Sequence, residues 1–345
     1  MLPGRFNSVD GRSGLGNSAR MSKATPPTAD DLEHILDLTE RFDAARATDL
    51  ALKDVEIQDL LRLVKRKRAI LSCRFEGRPA VIRLFLDDDP TSSQREWEEL
   101  KRIWPVMSQG SYRVVEPLHH CPSQNLLIVE QAEGTPLLEL LWQSDRDARL
   151  QYLEPGARWL RLYSGGTEEW RGARHRRWLA KAERAAERQV FDTLRSIESE
   201  IIALLRQMAD RMEGAKWRTA ILHGDFHPNN LMARGDQLVG IDTGGSARMP
   251  IYKDMARFLM HMGRRDITLS GDWWMGVDRA GAYAFRDAFA LDEFEFGTVF
   301  PFMLGVEALI RVETQQLPST RIKRAERMYR RLLKDLSHRV KNISQ

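Results

Sequence analysis

The stretch His223-Gly224-Asp225-Phe226-His227-Pro228-Asn229-Asn230-Leu231, followed by Ile241-Asp242, decides how this chain is read. It supplies a carboxylate, an amide five positions later and a second carboxylate twelve beyond that. Transfer of a phosphoryl group from a nucleotide needs those groups: an acid to orient the attacking hydroxyl, and two oxygen donors to hold Mg²⁺ against the phosphates. The flanks agree. Thr219-Ala220-Ile221-Leu222 reads as a short apolar strand and Asn230-Leu231-Met232 as the start of another; Gly235-Asp236 makes a turn, and residues 237–241 return as a third strand. Such a hairpin delivers Asp242 opposite Asn230, as two ligands of one magnesium ion require.

Rival readings of the same residues are weaker. By composition the segment is also an ordinary Asp-, Pro- and Asn-rich turn, and chance can place an Asp a dozen residues on. His223 and His227 stand four apart, which on a helix would let both face one zinc ion. Gly224 and Pro228 oppose that helix, since Pro228 pushes His227 out of helical geometry.

The runs ILHGDFHPNNLM (221–232) and LVGIDTGG (238–245) resemble the aminoglycoside phosphotransferase and choline kinase superfamily. Its pattern is His-Gly-Asp, four residues, Asn-hydrophobic, then hydrophobic-Ile-Asp. Further matches follow in order. RMPIYKDMARFLM (248–260) is similar to the family's proline-led Asp-hydrophobic-Ala helix start, which places Asp254 as the buried acid that braces the catalytic loop. NLLIVEQAEGTPLLELL (125–141) resembles the family's hinge and sets Val129, Glu130, Gln131 and Ala132 beside the adenine, with Gly134 after them. QREWEELKRI (94–103) resembles the small-lobe helix that carries a structural glutamate, here Glu96. The matches run in order from about Ala69 to Leu259. They imply an α+β, bilobal protein-kinase-like fold: a small β-rich N-lobe and a larger, mainly helical C-lobe.

The phosphate-gripping region departs from the family. AVIRLF (80–85) stands where a strand presents a lysine, and its inward residue is Arg83. Arginine keeps the charge and can fork onto two phosphate oxygens with a different geometry. The preceding loop, Val64-Lys65-Arg66-Lys67-Arg68-Ala69, lacks the glycines that let backbone N–H groups approach phosphates. Its cationic side chains either replace that contact or form a solvated charge run.

Composition narrows the class. The 345 residues exceed what one core supports and call for two lobes or domains. Apolar content of 42% beside 30% charged residues is that of a soluble globular protein. Only two cysteines occur, Cys73 and Cys121, in no metal-ligand spacing, which argues against a disulfide scaffold and is compatible with a reducing cytoplasm. No apolar run approaches the roughly 18 residues that cross a bilayer. The first twenty residues lack a signal-peptide core; they read as a disordered extension, with Met21 as an alternative start. The expected organisation is an extension over 1–29, an N-lobe over 30–132 and a C-lobe over 133–345.

Local patterns fill in that frame. Asp30 to Phe42 carries Leu32, Ile35, Leu36 and Leu38 near helical period, a lead-in helix packed on the small lobe. Glu76-Gly77 joins two strands as a hairpin turn. Ser92 to Trp104 is helical, capped by Ser92 or Ser93. The basic stretches 171–188 and 321–341 suit nucleic acid or an anionic membrane, but their apolar positions at helical spacing mark the solvated faces of amphipathic helices. With 53 basic against 49 acidic residues, nucleic acid is not compelled. The aromatic, acidic region from Asp272-Trp273-Trp274 to Asp292-Glu293-Phe294-Glu295-Phe296 reads as packed helical core or, by the resemblance, as an acceptor wall suited to a cation. His119-His120-Cys121 lacks a fourth metal ligand and reads as an ordinary loop.

The expected chemistry follows. ATP or GTP binds between the lobes, its base against Val129–Ala132 and its phosphates near Arg83, which Glu96 holds through an ion pair. Asn230 and Asp242 coordinate Mg²⁺, Asp225 positions the acceptor hydroxyl as general base or orienting group, and His223 fixes the loop. The acceptor is a small hydroxylated molecule such as a sugar, amino-alcohol or aminoglycoside, because no Ala-Pro-Glu segment of a protein-substrate kinase follows Asp242. Two other readings stay open: a nucleotide-binding pseudokinase scaffold, and a basic nucleic-acid or membrane-surface adaptor on the same fold.

Overall fold

The computed structural model describes residues 29–342, and side-chain surroundings from Leu38 onward. The expected extension, including Met21, lies outside the described residues apart from Ala29, as do the side chains of Leu32, Ile35 and Leu36. The chain divides into two compact units, one of residues up to 108 with 114–133, the other of 109–113 with 134–345.

The smaller unit begins with α1 (Ala29–Thr48), followed by β1 (Glu56–Val64), β2 (Arg68–Phe75), β3 (Arg78–Phe85) and α2 (Ser92–Met107). After β4 (Tyr112–Val114), it closes with β5 (Pro117–Cys121) and β6 (Leu126–Glu130). The strands form one antiparallel sheet in the order β1-β2-β3-β6-β5. Glu76 and Gly77 turn the β2–β3 hairpin with positive φ at both positions, 49° and 75°, as a two-residue connection of this twist demands. Along β3, Ala80, Ile82 and Leu84 join Leu38, Phe42 and Ala45 of α1 in the core. Strand alternation therefore turns Arg83 to the opposite face, where α2 lies.

The start of α2 differs from expectation. Its cap position is Thr91, which makes no capping bond, and Ser92 and Ser93 are already helical. The Asn125 amide does the capping instead: its Oδ1 accepts from Ser93 N at 2.8 Å while its Nδ2 donates to Asp89 O at 2.9 Å. A cap supplied from a distant loop leaves no trace in the local sequence.

The larger unit comprises β7 (Thr135–Pro136), α3 (Leu137–Gln143), α4 (Arg146–Leu150), α5 (Leu153–Gly165), β8 (Glu169–Gly172), α6 (His175–Ala186) and α7 (Asp192–Arg211). Then come β9 (Lys216–Leu222), β10 (Leu231–Arg234), β11 (Gln237–Gly240), β12 (Ala247–Pro250) and α8 (Tyr252–Gly263). The short strands β13 (Trp273–Trp274) and β14 (Val277–Asp278) precede α9 (Arg279–Phe289), α10 (Phe300–Ile310) and α11 (Ser319–Asn342). Residues 109–113 join this unit because Ser111 O accepts from Leu238 N at 2.7 Å. Every residue of α8 is buried, as are those of α10 up to Leu309, so these two helices form the unit's centre. The basic stretches lie on amphipathic helices: Leu179, Ala182 and Ala185 of α6 and Met328, Tyr329 and Leu332 of α11 are buried.

Candidate active site

The 223–242 segment is fixed at both ends before any ligand is considered. It leaves β9 through Gly224, whose φ of +87° suits only glycine comfortably and where a Cβ would run into the Gly245 carbonyl oxygen. Gly224 N donates to Asp254 Oδ2 at 2.9 Å, and Lys253 Nζ bridges Asp254 Oδ1 and Gly224 O. Asp254, fully buried at the start of α8, thus takes hold of the loop's backbone. The His223 ring is also fully buried; its Nε2 donates to Ile241 O at 2.9 Å, which fixes the tautomer. Phe226 stacks between Trp159 and Phe258 at 5.3 and 5.2 Å.

Asn230 and Asp242 meet through the β10–β11 hairpin. Leu231 pairs with Gly240, and Ile241 N donates to Asn230 O at 3.0 Å, so the next residue, Asp242, emerges beside the asparagine. Asp242 has φ +65°, a left-handed conformation uncommon for a non-glycine residue. Asn230 Nδ2 donates to Asp225 O at 3.0 Å, which turns its amide oxygen the other way. An amide oxygen and a carboxylate are the hard donors that magnesium takes, and two protein ligands leave coordination positions for phosphate oxygens and water. The residues present fit that ion. Among the described residues no group of His, Cys, Asp and Glu gathers as a zinc-type cluster. His119 instead bonds Asp49 at 2.6 Å, and His120 bonds Ser93 at 3.0 Å.

Asp225 sits in a positively charged setting that the sequence reading missed. Arg257 Nε donates to its Oδ1 at 2.9 Å and Arg311 Nη2 to the same oxygen at 3.1 Å. His227 Nε2 lies 3.4 Å from Oδ2. The buried Glu307 holds Arg311 at 3.3 Å and lies 3.8 Å from Arg257. Burial opposes ionisation of Asp225, but the His227 hydrogen bond and the Arg257 and Arg311 charges outweigh it and hold the acid well below the usual carboxylate range. Its side chain is still 43% exposed, so the carboxylate remains open to a ligand. Arg257 left a signal, a lone cation inside the apolar run 255–262. Arg311, at the end of α10, left none.

In the smaller unit Arg83 and Glu96 form a buried ion pair between β3 and α2. The segment 65–67 is a tight turn between β1 and β2, with Lys67 N bonded to Val64 O. Glu130 ends β6 with its N–H on Glu116 O and its carboxylate accepting from Glu116 N, while Gln131 N bonds Pro79 O.

The aromatic, acidic region follows its packing alternative. Glu295 is buried in an ion pair with Arg218 and accepts from Tyr252, and Asp278 caps α9 and accepts from the Leu269 and Ser270 N–H groups and the Thr268 hydroxyl. Trp274 stacks on Phe296 at 4.9 Å, and Arg331 covers Trp273 at 3.8 Å. The acids and ring faces that a cationic acceptor would use are largely engaged with the protein itself.

Comparisons with known proteins agree with this architecture. No curated protein matches the sequence. A candidate aminoglycoside phosphotransferase from Ralstonia eutropha JMP134 is 12% identical with a TM-score of 0.58, covering 87% of this chain and 98% of its own. The choline kinase LicA from Streptococcus pneumoniae is 13% identical with a TM-score of 0.52, covering 88% and 99%. The amicoumacin kinase hAmiN, solved with AMP-PNP and Ca²⁺, is 9% identical with a TM-score of 0.50, covering 87% and 96%. At these identities the likeness shows the fold, a protein-kinase-like one. Residues 74–289 match the model of the phosphotransferase enzyme family. With the His223–Asp242 motif folded into one anchored site, the chain belongs to the phosphotransferase enzyme family.

Proposed function

We propose that this protein transfers the γ-phosphoryl group of ATP or GTP to a hydroxyl of a small molecule. The observation that carries the reading is the joint placement of Asp225, Asn230 and Asp242, tied to one another by the Asn230 side chain and the 230–241 backbone bond. Asp225 accepts a hydrogen bond from the acceptor hydroxyl, orients it and takes its proton as the new oxygen–phosphorus bond forms and the bond to the β-phosphate oxygen breaks. The His227 hydrogen bond and the Arg257 and Arg311 charges keep the acid ionised, so it can accept a hydrogen bond throughout neutral pH. Mg²⁺, held by Asn230 and Asp242, would screen the phosphate charge. The Arg83–Glu96 pair is assigned to the nucleotide phosphates, residues 129–132 to the base, and His223 and Asp254 to support of the loop. The AMP-PNP and Ca²⁺ bound by a structural relative support nucleotide and divalent-metal use.

The test is a panel of sugars, amino-alcohols and aminoglycosides with Mg²⁺ and ATP or GTP, read by product mass, with Asp225→Asn as control. Phosphorylated product from wild type alone supports the reading. Equal product from both proteins, or none from either, rejects it. Absence of any thermal shift with nucleotide and Mg²⁺ rejects the nucleotide assignment separately.

A further inference from the structure

Two arginines share one oxygen of Asp225, but they are placed differently. Arg257 donates through Nε from within α8, where it is buried, and Glu307 lies 3.8 Å away. Arg311 follows the last residue of α10, and its side chain is 40% exposed. The buried Glu307 accepts from its Nε at 3.3 Å, and Asp225 Oδ1 accepts from its Nη2 at 3.1 Å. Those two bonds fix the plane of the guanidinium. It carries five N–H groups, and among the described residues the other three meet no acceptor. They are donors held ready beside the acid and open to solvent.

The lone pairs of Asp225 indicate where a substrate oxygen fits. A carboxylate offers about four acceptor positions, two on each oxygen. Arg257 and Arg311 take those of Oδ1, while His227 approaches Oδ2 at 3.4 Å. A hydroxyl positioned by Asp225 therefore binds Oδ2. In a near-attack arrangement that hydroxyl oxygen stands about 3–3.5 Å from the phosphorus it attacks. A guanidinium on the neighbouring oxygen of the same carboxylate is then a few ångströms from the phosphoryl oxygens. The smaller unit supplies less: Arg83 is drawn into its buried pair with Glu96, and the β1–β2 turn has no glycine to bring backbone N–H groups close. More of the demand for positive charge falls on the larger unit.

We propose that Arg311 is a further catalytic residue, whose unused Nη hydrogens donate to the phosphoryl group as it passes from the β-phosphate oxygen to the acceptor oxygen. This rests on the phosphotransferase reading of Asp225. The acceptor gives its proton to Asp225 Oδ2 while its bond to phosphorus forms and the bond to the β-phosphate oxygen breaks. Arg311 exchanges no proton; it supplies fixed charge and directed hydrogen bonds where negative charge spreads over the equatorial oxygens. Glu307, which holds Nε, is a positioning residue for that fork.

The test uses the full chain and needs no acceptor. MgADP, alone and with aluminium tetrafluoride as a mimic of the phosphoryl group in flight, is titrated by calorimetry into wild type, Arg311→Gln and Arg311→Lys, with melting temperatures measured alongside. Wild type should hold the fluoride complex about 100-fold or more tighter than MgADP. Arg311→Gln should lose about 100-fold of that gain, the scale of one missing charge-stabilising donor, and bind MgADP as wild type does. Lysine should restore part of the loss, since it keeps the charge without the fork. With any acceptor that wild type phosphorylates, kcat should fall by the same factor at an unchanged ATP KM, and equally on the acid and alkaline sides of neutrality. A loss confined to the acid side means that Arg311 acts only by keeping Asp225 ionised, and overturns the proposal. So does a glutamine variant that binds the fluoride complex as wild type does or loses MgADP to the same degree, or a wild type that gains nothing from the fluoride. If Arg311→Gln melts early, Arg311→Lys decides, because it keeps a cation for Glu307: weaker fluoride binding at wild-type stability upholds the role, and full wild-type affinity refutes it. Wild type that binds neither nucleotide complex rejects the phosphotransferase reading itself, and the role of Arg311 falls with it.

Discussion

Two arginine–carboxylate networks lie in the larger unit and make a useful contrast. In the first, Arg218 grips both oxygens of Glu295 at 2.6 and 2.9 Å, reaches Glu168 at 3.1 Å and bonds the Phe289 carbonyl, while Tyr252 donates to Glu295 at 2.6 Å. Arg218 and Glu295 are buried, and cation and anion are matched. In the second, Asp225 receives both Arg257 and Arg311 and stays partly exposed. A buried charge is tolerable when its partners complete it. The closed network has no vacancy for a ligand and reads as architecture; the open one has surplus charge and reads as a place where something binds.

That distinction is exposed to experiment. The largest effect is expected at the open network: Asp225→Asn should lower kcat by about 10²–10⁴-fold, the usual contribution of a general base, with little change in melting temperature. A collapse in stability of the same variant would erase the contrast. Glu295→Ala should do the reverse. Leaving Arg218 without its main partner should cost about 3–5 kcal/mol, seen as a lower urea midpoint, while the folded fraction keeps its turnover. Gly224→Ala joins the two effects, since a left-handed backbone and the nearby Gly245 carbonyl both resist a side chain. A loss of about 1–3 kcal/mol with reduced activity is expected, and wild-type behaviour would show that the loop can shift to make room.

The smallest effect concerns pH. Burial, followed by the charges of Arg265, His227, Arg257 and Arg321, holds His261 well below the usual histidine range. The unfolded chain takes up that proton near pH 6.5 and the folded chain resists it. Stability should therefore fall as pH drops below about 6.5, by at most about 1.4 kcal/mol per pH unit for this group. His261→Phe, which keeps the stacked ring, should flatten the melting temperature between pH 7 and 5. An unchanged slope would show that other groups, such as His227, dominate. Asp225, its acid already depressed, stays ionised across that window.

How much of this was legible beforehand depended on how local each signal was. The β2–β3 turn needs positive φ at Glu76 and Gly77, and the dipeptide announces it. The 223–242 motif carries its loop and hairpin within twenty residues, so the local fold that brings Asn230 and Asp242 to one hairpin could be read directly. Arg83 and Glu96 meet because strand alternation and a helix face bring them together, a relation the family resemblance had suggested. The Asn125 cap, by contrast, joins residues 32 positions apart, and Arg311 reaches Asp225 across 86. Periodicity sees none of that. The acidic, aromatic region was ambiguous because Trp, Phe and Glu serve a core or an acceptor wall equally well by composition. Only the partners of Glu295 and Asp278 separate the two.

The Asn230 amide nitrogen sits on the backbone oxygen of Asp225, and its oxygen is the atom proposed for the cation. A cation that tightened one end of that side chain would be felt at the Asp225 peptide. Metal and acceptor would then be thermodynamically linked: any gain in acceptor affinity on adding the metal must be mirrored by the same factor in metal affinity on adding the acceptor. Order of addition would change the rate of assembly but not its end point, and a single amide would set the strength of the coupling.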